Sequence, residues 1–118
     1  MGNFDLESGR RFLHEGEYAE ALRCLLSSVS ADPTDVEAYL ALIAAYQMAW
    51  EESGDPMVLD QIRKVALAGL KRQGSSAQRS ALEAALDRAD ALLLEEQRAD
   101  AGEHQAERGR KILPLFKE

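Results

Sequence analysis

The spacing of 34 residues that separates Leu6 from Leu40, Gly9 from Ile43 and Phe12 from Tyr46 constrains this chain more than any bulk property does. In each copy the three positions share one face of a predicted helix. A recurrence at this period marks a helix–turn–helix unit that cannot bury its apolar face alone. Such units bury that face by stacking on one another. The expected fold class is therefore all-α.

Between the two copies runs Gly16-Glu17-Tyr18-Ala19-Glu20-Ala21-Leu22, followed by Leu25, Ser28, Val29 and Pro33. This arrangement resembles the tetratricopeptide repeat (TPR), and the resemblance covers about residues 4–74 as two divergent repeats. The resemblance implies stacked helical hairpins whose stack presents a concave surface to other proteins. Gly9 would permit close approach of paired helices, Phe12 would fill the core, Gly16 would make the turn and Pro33 would close the unit. Asp5 and Ser8 depart from the pattern, standing where the family prefers large apolar residues. After Tyr46 the offset grows to 41, so that Ala21 maps to Ile62, Leu25 to Ala66, Ser28 to Gly69 and Val29 to Leu70. Leu22 then falls on Arg63, a mismatch. The second unit is thus enlarged by seven residues, about two helical turns.

Caps and periodicity place five helices. The first runs from Leu6 to His14 or Glu15 and is ended by Gly16. The second runs from Tyr18 to Ser30 and stops before Asp32-Pro33. Thr34-Asp35-Val36-Glu37 reads as a capping box, with the Thr34 hydroxyl accepting from the amide three residues on and Glu37 reaching back. The third helix then extends to Ser53, where Gly54 stops it. Asp55 and Pro56 serve as cap and first residue of the fourth, expected to reach Arg72, with Gly74 ending it. Ser75-Ser76-Ala77-Gln78 caps a fifth helix ending near Ala101, which departs from the repeat pattern and reads as a terminal cap. Residues 1–101 form the helical domain. Residues 102–118 form a polar spacer and a short apolar tail, Ile112-Leu113-Pro114-Leu115-Phe116. That tail is too short and too Pro-interrupted for a stable helix. It is expected to dock in a groove, its own or a neighbour's, in competition with the true ligand.

The charge balance narrows the partners. Twenty-one acidic residues face fourteen basic ones, a net charge of −7. Nucleic-acid binding needs a basic face, and Arg108, Arg110 and Lys111 are too few to supply one. The longest uncharged apolar run, Ala38 to Trp50, is too short to span a bilayer. The first seven residues lack a basic region followed by an apolar run, so no signal peptide is read and a cytoplasmic setting is expected. Cys24 is the only cysteine, which excludes an internal disulfide. Between Leu22 and Leu25 it reads as a small core residue.

No catalytic constellation, metal site or cofactor motif is read, and the chain is not expected to be an enzyme. His14 sits beside Glu15, but adjacent helical positions diverge. His104 has only Glu103 and Glu107 for company. No Gly-rich phosphate loop is present. The TPR resemblance implies that the first helix of each hairpin lines the concave groove. By position that lining is Asn3, Leu6, Arg10, Leu13 and His14, then Glu37, Leu40, Ala44, Gln47 and Met48. Leu6 and Ala44 stand where the family's carboxylate clamp needs polar groups, so that clamp is not expected. The mixed lining suits an amphipathic helix or an extended apolar segment, and the acidic chain favours a basic one. The same residues equally fit packing against the chain's own fifth helix or tail. The expected function is non-catalytic protein–protein interaction, as adaptor, co-chaperone or assembly factor. The alternative is a self-associating domain, a homodimer whose groove is filled by a C-terminal segment.

Overall fold

In a computed structural model, residues 4–100 and 114–116 are described. Their fold is an all-α, TPR-like stack of helical hairpins, with no strand among the described residues. The helices are α1 (Phe4–His14), α2 (Tyr18–Ala31), α3 (Val36–Ser53), α4 (Pro56–Leu70) and α5 (Ser76–Asp100). Consecutive helices pack on each other, and α3 also touches α1 and α5. The first helices of the hairpins therefore adjoin one another, while α2 and α4 do not meet.

The centre of the stack is α3. It has eighteen residues, against eleven in α1, so the seven extra residues of the second unit lie there. The uncharged run Ala38–Trp50 needs covering on nearly every side, because a helix apolar all round is a core helix. Four neighbouring helices provide that cover, and Ala38, Tyr39, Ala41, Leu42, Ile43, Ala45, Tyr46 and Ala49 are all buried. Among the described residues no helix is long and apolar enough to cross a membrane. Tyr46 is fully buried, as its place in the repeat predicts, whereas its counterpart Phe12 is half-buried beneath the Arg11 guanidinium. The difference follows from cover: α3 packs against four helices, and α1 against α2 and α3.

Two glycines set helix separations. A Cβ on Gly9 would lie 2.5 Å from the Leu25 side chain, so α1 and α2 approach over a bare backbone. At Gly69 a Cβ would meet Leu82 at 3.1 Å and Tyr39 at 3.3 Å, and α4 thereby nests between α3 and α5. Gly16 and Gly54 take the left-handed conformation, φ +80° and +67°, and end α1 and α3 as expected. Asp5, anomalous for the repeat, accepts a hydrogen bond from Ser27 Oγ at 2.9 Å across the first hairpin.

Three local expectations are corrected. The N-cap of α3 is Asp35, whose carboxylate accepts from the Glu37 amide at 3.1 Å. Thr34 instead donates its amide and hydroxyl to Asp32, which holds the Asp32 carboxyl below the usual carboxylate range. Asp stands one residue nearer the orphan amides and caps at least as well as Thr. Second, Glu37 does not reach back, because Arg10 and Gln78 take its two oxygens. Third, α4 ends at Leu70, earlier than Arg72 or Gly74. The cap of α5 is reciprocal as the sequence suggests: Ser75 Oγ accepts from the Gln78 amide at 3.1 Å, and Gln78 Oε1 accepts from the Ser75 amide at 2.8 Å.

Candidate functional site

Two surfaces emerge, one from the first helices and one from the second. On the first, Glu37 links three helices. Its Oε1 pairs with Arg10 Nη2 of α1 at 2.8 Å, and its Oε2 accepts from Gln78 Nε2 of α5 at 2.8 Å. Both members of the ion pair are about half exposed, so the pair orients side chains more than it stabilises the fold.

The remaining lining residues are distributed unevenly. Leu6 is core, 7% exposed. Leu13 and Leu40 are half-buried and packed against the core, and His14 is exposed. Ala44 and Met48 are half-buried, and they follow Leu40 at four-residue steps along α3. Gln47 belongs to a small cleft of about 50 Å³ between α3, α4 and α5, with Trp50, Ile62 and Arg88. Met48 instead borders a cleft with Gly16, Tyr18, Glu51 and Glu52. The expected lining is thus one face in the sequence sense but not one cavity. Asn3, Ile112, Leu113 and His104 lie outside the described residues. Among the described residues no three His, Cys, Asp or Glu side chains are grouped to hold a metal. Cys24 is half-buried, and burial together with the carboxylates of Asp5 and Glu20 pushes its thiol up, away from the reactive thiolate.

The second surface is a trough that repeat position did not indicate. Because α2 and α4 do not meet, α3 floors a gap between them. Residues 114–116 lie in it. Phe116 is 7% exposed and meets the Tyr39 ring edge-on, with centroids 6.5 Å apart. Tyr39 is held in turn, its hydroxyl donating to the Pro33 carbonyl at 2.8 Å. Two buried polar side chains address the backbone of the segment. Tyr46 Oη donates to the Pro114 carbonyl at 2.8 Å, and Gln61 Oε1 accepts from the Phe116 amide at 2.8 Å. A buried Gln and a buried Tyr hydroxyl need partners, and this segment supplies one to each. Burial drives the Tyr46 phenol well above its ordinary range, only partly opposed by the Phe116 backbone.

The apolar tail marks itself in the sequence, but its seat does not. One signal was available: Gln61 is the one polar residue among buried positions of α4, and such a residue implies a hydrogen-bonding partner. Comparison with protein-family models, with curated proteins and with solved structures gives no match to this chain.

Proposed function

We propose that this chain is a protein–protein interaction module of the tetratricopeptide-repeat kind, an adaptor, co-chaperone or assembly factor without chemistry of its own. Its ligand is a peptide or amphipathic helix of basic character, taken up on the face made by α1, α3 and the start of α5. The observation that carries this reading is the chain Arg10–Glu37–Gln78, which runs across the first helices of successive hairpins beside the half-buried Leu40, Ala44 and Met48. A polar track next to an apolar stripe matches the two faces of an amphipathic helix. The net charge of −7 favours a cationic partner through steering, and a cytoplasmic setting fits.

The test is Ala44→Glu. Affinity capture from native extract is expected to lose the partner that the unsubstituted chain retains, with the helical circular dichroism unchanged. Collapse of the helical signal would make the stripe core and end the reading. A second reading is favoured by the seat of Pro114–Phe116: a self-associating domain whose trough takes the tail of another copy. Light scattering at several concentrations separates the two, since tail exchange gives a mass that rises with concentration.

A further inference from the structure

We infer that the trough between α2 and α4 is a second peptide-binding site, distinct from the first-helix face. It takes an extended, proline-containing apolar segment with an aromatic residue from a partner chain. The chain's own residues 114–116 are its resident competitor. Three observations carry this.

The first is the manner of recognition. Tyr46 and Gln61 bind a carbonyl and an amide two residues apart, and neither bond depends on the side chains of the ligand. Side chains that read a peptide backbone in this way accept any segment able to follow the same backbone course. Specificity then comes from the ring socket on Tyr39 and from proline, which supplies a carbonyl and pre-extends the chain.

The second is the room beside the described residues of the segment. Beside the docked residues a cleft of about 450 Å³ remains, walled by Leu26, Val29, Ala68 and Arg72. Leu115 is still 45% exposed. A partner segment that runs on along this cleft gains contacts with these walls beyond those that Pro114–Phe116 makes.

The third is the tether. Residues 101–113 connect α5 to the docked segment. A competitor in the same chain acts intramolecularly, and a short flexible link would give it an effective concentration on the order of millimolar. A weak segment then occupies the trough in cis, and an untethered ligand with several more contacts displaces it.

The test uses the full-length chain and a fluorescein-labelled heptapeptide, Ile-Leu-Pro-Leu-Phe-Lys-Glu, as the ligand in trans. Phe116→Ala is expected to keep its helical circular dichroism and to bind the peptide at least about tenfold more tightly than the unsubstituted chain, because the competitor has been weakened. Adding Gln61→Leu is expected to abolish that gain, as is replacing Phe by Ala in the peptide. In the unsubstituted chain, saturating peptide is expected to move the Phe116 amide resonance to its free position. Equal affinities for the two chains, or binding that ignores Gln61, would overturn the inference. So would a Phe116 resonance that stays put at saturation, which needs no variant to be measured. A concentration-dependent dimer that disappears on Phe116→Ala would also overturn it, making a second copy the occupant.

Discussion

Gln61, buried in α4, accepts a hydrogen bond at 2.8 Å from the backbone amide of Phe116, 55 positions along the chain. This contact ties the C-terminal segment to the body through its main chain. Replacing Gln61 with Met keeps the volume but removes the acceptor. The Phe116 amide is then buried without a partner, at a cost of about 1–3 kcal/mol. The segment relieves that cost by leaving. Hydrogen exchange of the Phe116 amide is expected to approach the unprotected rate, while the amides of α3 stay protected.

Tyr46 joins the core and the tail, so two substitutions separate its roles. Tyr46→Ala removes a fully buried ring and is expected to cost about 3–5 kcal/mol in urea unfolding. Tyr46→Phe keeps the ring but orphans the Pro114 carbonyl, and the expected loss is about 1 kcal/mol. An unchanged midpoint for the Ala variant would contradict the burial.

The same residue gives the chain an alkaline limit. Its folded pKa lies above the unfolded value near 10, so the folded state prefers the neutral phenol. The stabilising contribution is complete below pH 10 and falls as the pH rises above it, because only the unfolded chain ionises there. Thermal unfolding scans between pH 9 and 11 are expected to show a declining midpoint, and Tyr46→Phe is expected to decline less steeply.

Gly9→Ala opposes two effects of different size. In an exposed helix the change gains about 1 kcal/mol from propensity. Here the added methyl would sit 2.5 Å from the Leu25 side chain, and overpacking costs about 1–3 kcal/mol. Net destabilisation is expected, and the Gly9→Ala/Leu25→Ala double variant is expected to lose less stability than the sum of the two single losses, because truncating Leu25 removes the clash.

The cap assignment at α3 is tested by a pair. Asp35→Ala is expected to lower stability by about 0.5–2 kcal/mol, since the Glu37 amide loses its acceptor. Thr34→Ala touches only an exposed turn with Asp32 and is expected to stay within about 0.5 kcal/mol. The reverse order in chemical denaturation would return the cap to Thr34.

Much of this architecture is local and therefore legible in one dimension. Gly16, Pro33, Gly54 and Asp55-Pro56 punctuate the chain through φ preferences and missing amides, and helices end within a residue or two of them. The run Ala38–Trp50 identifies the central helix because only a surrounded helix tolerates so few polar positions. The seven-residue enlargement after Tyr46 reappears as the difference in length between α1 and α3. Where two caps compete within one turn, as Thr34 and Asp35 do, the pattern cannot choose, since the choice depends on which side chain has another partner.

The seat of the C-terminal segment is of another kind. Sequence alone marks the stretch ending in Pro114-Leu115-Phe116 as too apolar to stay in water and too broken to be a helix, and the described residues 114–116 do dock. Where it docks depends on a gap between two helices that never touch, and on a tyrosine and a glutamine from different helices aimed at the same short backbone. Those contacts join residues 68 and 55 positions apart in the chain. Local preferences act over a few residues and can be read along the chain. A groove is the space left when whole helices have packed, and only the packed helices define it.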